Sequence, residues 1–179
     1  LIAAGRVPNI EQLALEQAGV KYNEFGVTVD RNLRTSNKLV YAIGDIVEGS
    51  RFTHTASYHA GIVLKKILLG LPSKLRTDHI PQVTYTDPEI ASVGMNFEDA
   101  VKRFGKKVER SFVNLKTNDR AITDSKTEGF VEVILLGRKV IGCSITSKNA
   151  GELISFWAFV IAKSIKISNC KYLDAERAK

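Results

Sequence analysis

The sequence predicts an α/β first part joined to an α+β second part. Three observations carry that expectation. A short apolar run, Leu39 to Ile43, stops at Gly44-Asp45, and a helix-like pattern opens soon after at Thr53; strand followed by helix is the α/β pattern. Phe130 to Leu136, the pair Gly137-Arg138, and Lys139 to Thr146 read as two strands joined by a tight turn, with a helix behind them. Between these parts runs a polar, basic connector, Leu71 to Pro81, which suits a domain boundary.

Each element follows from its own pattern. Ile10 to Ala18 carries a short helical pattern with Gly19 as its stop. Val27-Thr-Val29 and Leu39 to Ile43 have strand character. Ala60, Val63, Leu64, Ile67 and Leu68 recur at helical spacing, and Gly70 with Pro72 ends that helix. In the second part, Gln82 to Thr86, Ile90 to Met95 and Val108 to Leu115 are expected strands. Asn96 is placed to cap a helix from Phe97 to Phe104, with Asp99 at its third position and Gly105 as its stop. Asn149-Ala-Gly-Glu152 has the spacing of a capping box. The helix it opens carries Leu153, Ile154, Phe156, Trp157, Val160 and Ile161. Strands with helices set on one side make this half α+β.

Composition narrows the function. The 179 residues suffice for one or two small domains, and 44% hydrophobic with 25% charged residues is ordinary for a soluble globular chain. A net charge of +7 raises the question of nucleic acid or an anionic membrane. The basic residues are dispersed, however. The one dense run, Lys102 to Arg110, contains Glu109 and follows Glu98 and Asp99, so it reads as a solvated face. Neither nucleic acid nor membrane is an expected partner. The most apolar stretch, Leu153 to Ala162, is broken by Ser155 and is too short to span a bilayer, and no signal peptide is visible. Cys143 and Cys170 form no C-x-x-C and no metal-ligand spacing. Such sparse cysteine fits a reducing, cytoplasmic setting. Cys143, in an apolar strand pattern, is expected to be a buried inert thiol.

The chemistry concentrates at Tyr41-Ala-Ile-Gly-Asp45. Glycine lets backbone approach a ligand closely, and a carboxylate is a strong acceptor for a sugar hydroxyl. That combination suits a nucleotide or flavin site at the carboxyl edge of a sheet, although a Gly-Asp pair is also a common turn. His54 and His59 have no third ligand spaced with them and read as polar residues near a helix start.

Four segments, in order, extend this reading: Leu1-Ile-Ala-Ala-Gly-Arg-Val-Pro-Asn9, Arg34-Thr-Ser36, the Gly44-Asp45 segment, and Thr86-Asp-Pro-Glu-Ile-Ala-Ser-Val-Gly94. Together they resemble the pyridine nucleotide-disulfide oxidoreductase family, in particular its mercuric-reductase-like and dihydrolipoamide-dehydrogenase-like members. The resemblance runs from Leu1 to about Asn169. It implies that residues 1–78 are the end of a nicotinamide domain and the carboxyl-terminal part of an FAD-binding domain. Residues 79–179 would then be an α+β dimerisation domain. Asp45 would accept hydrogen bonds from the FAD ribitol, with Gly44 keeping a side chain away. Thr55, Ala56 and Ser57, at the start of the next helix, would face the flavin pyrimidine edge, mainly through backbone. Arg6, Pro8, Asn9 and Asp87-Pro88-Glu89 would be architectural. Tyr58, Phe156, Trp157 and Phe159 are expected in core or interface packing.

The same comparison implies a fragment. The family carries Gly-rich phosphate loops, a close redox cysteine pair and a late His-Pro with a following Glu. None of these motifs is present, and the last His is His79. No catalytic residue and no metal ligand are therefore assigned here. The expected cofactors are FAD and, in the complete enzyme, NAD(P)H, in the service of cell redox homeostasis. The expected partner is a second copy bound through residues 79–179, or a separate amino-terminal FAD/NAD piece. Alone, the chain is expected to bind FAD weakly or not at all. The competing expectations are a non-catalytic dimerisation remnant and, behind it, a basic nucleic-acid-binding domain.

Overall fold

The computed structural model describes residues 2–49 and 52–167, without the side chain of Thr53; Cys170 and the tail beyond it lie outside the described residues. The chain divides into two compact units, Leu1–Arg76 and Thr77–Lys179.

The first unit has little sheet. Two-residue strands β1 (Tyr22–Asn23) and β2 (Gly26–Val27) pair antiparallel. The strand expected at Leu39 to Ile43 does not form. Its ladder reduces to one bridge, Tyr41 with Arg34. A strand exists only through its partners, and among the described residues of this unit no longer strand lies beside it. The strand expected at Val27 to Val29 likewise keeps only Val27. The helix expected at Ile10 to Ala18 is absent too. Gln12 and Ala14 sit at φ 63° and 50°, in the left-handed region that a right-handed helix cannot contain. What survives is one turn. Its exit is a Schellman motif: Val20 N–H donates to Leu15 O at 2.8 Å, and Gly19 N–H to Glu16 O at 3.0 Å. A small core gathers Val20, Val27, Ala42 and Val47. The one long element is α1 (Thr53–Leu69), which Gly70 closes in the left-handed conformation, φ 63°.

The second unit is built on a five-stranded antiparallel sheet in the order β3-β4-β7-β6-β5. Its strands are β3 (Gln82–Thr84), β4 (Glu89–Gly94), β5 (Val108–Asn114), β6 (Phe130–Leu136) and β7 (Lys139–Ser147). The β6–β7 hairpin turns at Gly137-Arg138 as expected, with Gly137 at φ 61°. The Asn96 cap also forms: its Oδ1 accepts Asp99 N–H at 2.8 Å and opens α2 (Phe97–Phe104), which Gly105 ends. A short helix that patterning did not anticipate, α3 (Asp119–Thr123), starts where Asn118 Oδ1 accepts Ala121 N–H at 3.0 Å.

The last helix among the described residues, α4 (Ala150–Ala162), buries Ile154, Val160 and Ile161 against Ala91, Val93, Cys143 and Ile145. Each fully buried aliphatic side chain contributes ~1.5–3 kcal/mol. Two expectations need correction. The capping box at Asn149 does not form, because Asn149 lies at φ 62°, whereas a cap reaches the helix from extended backbone. Glu89 on β4 takes over, its Oε2 accepting Gly151 N–H at 3.0 Å. A carboxylate there also meets the positive end of the helix dipole. The helices are not all on one side, either. In register, Val93, Cys143 and Val133 form a row under α4, so the next row, Gly142, Ile134 and Arg110, faces the other way. On that face the Arg110 guanidinium lies 5.0 Å from the ring of Phe97, the first residue of α2.

Candidate functional site

The Gly44-Asp45 turn is delivered by a short folded-back arm. Leu33, fully buried, accepts Ala42 N–H through its carbonyl at 3.1 Å, and Thr35 N–H donates to Val40 O at 3.0 Å. Below the arm, the Asp30 carboxylate accepts the Asn32 and Arg34 N–H groups at 2.7 and 3.0 Å. Burial works to raise the Asp30 pKa, but these bonds outweigh it and leave the carboxyl below its ordinary value. Residues Gly44–Ile46 then form one 3-10 turn, closed by Val47 N–H to Gly44 O at 3.1 Å.

This turn is held from two sides. On one side Val47 bridges Val27 in parallel, and an added Cβ on Gly26 would come within 2.5 Å of Ile46 O. On the other side lies the first turn and a half of α1. Gly44 sits at φ 72°, and a Cβ there would lie 3.2 Å from the Cβ of Ala56. The Gly44 N–H donates to His59 Nδ1 at 3.2 Å, in a buried setting. His59 is only 4% exposed, and burial lowers its pKa below the usual histidine value.

The start of α1 is chemically open. Its N-cap is Phe52, which supplies no capping oxygen, and its first turn holds no acidic side chain. The first turn itself therefore supplies no acidic group to the positive end of the helix dipole. Thr55 is 2% exposed, and its Oγ1 is buried without a hydrogen-bond partner. A buried hydroxyl left unpaired is costly, so an orphan here marks a place for a ligand group or a water.

Of the expected site residues, Gly44, Ala56 and Thr55 lie at this junction of turn and helix. Asp45 occupies the middle of the 3-10 turn with its side chain exposed. Ser57 is exposed on α1, and the Thr55 and Ala56 N–H groups both return to Phe52 O, at 2.9 and 3.4 Å. Sequence reasoning missed the role of His59. The signal was available: His59 stands three and four residues beyond Ala56 and Thr55, so all three share a helix face. His54 is exposed and stacks on Phe52, with ring centroids 5.5 Å apart. Among the described residues no group of three potential metal ligands occurs, and no helix is long and apolar enough to cross a membrane.

The chain thus combines a Gly-Asp turn docked on a helix start with a domain built on an antiparallel sheet. The chain belongs to the pyridine nucleotide-disulphide oxidoreductase family. The family's dimerisation-domain profile matches residues 80–172, and its pyridine nucleotide-disulphide oxidoreductase profile matches residues 1–60. Mercuric reductase of Staphylococcus aureus is 39% identical over 157 residues, 86% of this chain and 28% of that protein. Dihydrolipoyl dehydrogenase of Geobacillus stearothermophilus is 38% identical over 158 residues, 87% of this chain and 33% of that protein. The chain thus spans about a third of the length of these curated relatives. Among solved structures, LpdA from Mycobacterium tuberculosis superposes with a TM-score of 0.84 at 28% identity, covering 94% of this chain and 37% of that one. The copper(II) complex of the HOCl-induced flavoprotein disulfide reductase RclA from Escherichia coli gives 0.83 at 26% identity, covering 94% and 40%.

Proposed function

We propose that this chain supplies one wall of an FAD site and a dimerisation surface to an FAD-dependent NAD(P)H oxidoreductase that reduces a disulfide or a metal ion. The observation that carries the reading is the Gly44-Asp45 turn seated on the open start of α1. The residues present fit a flavin. Gly44, at a left-handed φ, lets the turn pack closely on Ala56, Asp45 offers an exposed carboxylate to polyol hydroxyls, and the orphan Thr55 Oγ1 offers a further polar partner. The uncapped start of α1 favours a negatively charged group nearby. FAD would supply the two-electron relay between NAD(P)H and the acceptor. This chain's residues bind and orient it.

The thiol chemistry is assigned elsewhere in the assembled enzyme. Cys143 is 1% exposed, and burial first, then the negative charge of Glu132, pushes its thiol up to about 12. A thiol held protonated in a core is neither a nucleophile nor a redox partner. The outward face of α4 presents Leu153, Phe156 and Phe159, at 51%, 42% and 54% exposed, which suits a subunit contact with a second copy. Sparse cysteine supports a cytoplasmic setting.

The test is to join this chain to an amino-terminal FAD/NAD piece of a family member and follow flavin absorbance and NADH oxidation. The Asp45→Ala variant is expected to hold flavin about ten- to a hundredfold more weakly, since a hydrogen bond to a charged group is worth ~1.5–3 kcal/mol. Unchanged flavin retention in that variant defeats the reading. A stable dimer that never takes up flavin favours a non-catalytic dimerisation module instead.

A further inference from the structure

We propose that His59 is a positioning residue: its unprotonated Nδ1 latches the Gly44-Asp45 turn onto α1, which makes the candidate cofactor edge acid-sensitive. The inference rests on the flavin reading for its consequence, but not for its geometry. Gly44 N–H points into the protein and finds its acceptor in the His59 ring at 3.2 Å. Neutral imidazole accepts at one nitrogen only, so this bond fixes the tautomer with hydrogen on Nε2. Protonation would place hydrogen on Nδ1, set two donors against each other, and leave Gly44 N–H buried without a partner. The turn has little slack to absorb that conflict. Gly44 is already at φ 72° with Ala56 against it, and the far side of the turn rests on Gly26. Loss of the latch would therefore move Asp45, the next residue.

The surroundings set the direction of the pH effect. The 3-10 turn brings one ionisable side chain, Asp45, which is exposed. Helix α1 brings His54 and Tyr58, the Tyr58 ring centroid lying 6.3 Å from that of His59. The arm leading into the turn brings Arg34, its guanidinium 5.9 Å from the Tyr41 ring centroid. Burial is what lowers the His59 pKa. A histidine whose folded pKa lies below its unfolded value contributes fully above the unfolded pKa, about 6.5. That contribution is lost as pH falls through the lower, folded value. The latch is thus closed at neutral pH and opens on acidification.

Amide hydrogen exchange at Gly44, read by NMR on this chain, tests the latch without flavin. The protection of Gly44 relative to the free peptide is expected to fall by up to about tenfold per pH unit as pH drops from about 6.5 toward the lower, folded His59 value, in a scan from about pH 7.5 to about pH 5. In His59→Asn the Oδ1 atom stands near the place of Nδ1 and does not titrate, so protection should persist across the scan. In His59→Leu the acceptor is gone, and Gly44 should exchange fast throughout. A Gly44 amide equally protected at both ends of the scan overturns the proposal. So does a pH response in the Asn variant matching the parent's, a comparison that stands even if the Leu variant does not fold. In the flavin-loaded assembly, acid should release flavin from the parent at higher pH than from His59→Asn. The Gly44 readout judges the latch, whereas flavin retention in Asp45→Ala judges the cofactor reading, so the two can fail separately.

Discussion

Residues 77–167 and residues 2–76 spend their apolar side chains differently. In the second unit every strand finds its neighbour within the unit, and the covered face of the sheet buries Ala91, Val93, Cys143 and Ile145 beneath α4. In the first unit the apolar arm Leu39 to Ile43 makes one bridge, and α1 leaves Leu64, Ile67 and Leu68 at 54%, 57% and 71% exposed. The second unit carries its own core. The first has only a small one, and among the described residues its regular structure is one α-helix, a two-residue strand pair and a set of clasped turns. Its candidate site is therefore held by individual hydrogen bonds and close backbone contacts, not by a deep apolar interior.

That contrast predicts its largest effect at Ile154. The side chain is fully buried at the centre of the second core. Ile154→Ala should cost ~2–5 kcal/mol, because truncation loses burial and leaves a cavity. Trp157, the single tryptophan, lies on the same helix and reports urea unfolding of this unit by fluorescence. A cost below about 1 kcal/mol, typical of a surface change, would mean the second core is no better packed than the first.

The same contrast explains what the sequence could disclose. The Asn96 cap, the Gly105 stop and the Gly137-Arg138 hairpin are decided by residues a few positions apart, and all three appear where patterning placed them. Gly44-Asp45 was legible for a similar reason, as a turn pair just ahead of a helix start. The misses share the opposite cause. Whether Leu39 to Ile43 becomes a strand depends on a partner strand, which no local pattern announces. The cap of α4 comes from Glu89, 62 residues before Gly151, while the nearby Asn149 is turned out of the role by its φ of 62°. The helix expected at Ile10 to Ala18 had the right apolar spacing, but left-handed backbone at Gln12 and Ala14 overrides a weak propensity. The fold class and the Gly44-Asp45 turn ahead of α1 were thus readable, whereas the bond from Gly44 to His59 needed the three-dimensional contact.

A middle-sized effect is expected at Glu89. Glu89→Ala removes the acceptor for Gly151 N–H and should destabilise the second unit by ~0.5–2 kcal/mol, the usual cost of a lost cap. Glu89→Gln keeps an acceptor oxygen and loses only the charge facing the helix dipole, worth ~0.3–1 kcal/mol. Urea midpoints read by Trp157 should rank the parent above Gln and Gln above Ala. Equal midpoints for the parent and Ala would show that Asn149 or solvent can take over the cap.

The smallest effect is expected on the outer face of α1. Leu64 is 54% exposed, while Ile62, two positions earlier on the same helix, is 5% exposed. Alanine and leucine have nearly equal helix propensity, so Leu64→Ala tests burial almost alone. It should change the stability of α1 by no more than about 0.5 kcal/mol, whereas Ile62→Ala should cost ~2–5 kcal/mol. Amide exchange over residues 53–69, which α1 spans, measures both without relying on a probe in the other unit. If the two variants loosen α1 equally, Leu64 is covered in solution. The first unit would then owe its order to a surface packed on this face, and the contrast between a self-sufficient second core and a clasped first one would have to be redrawn around that contact.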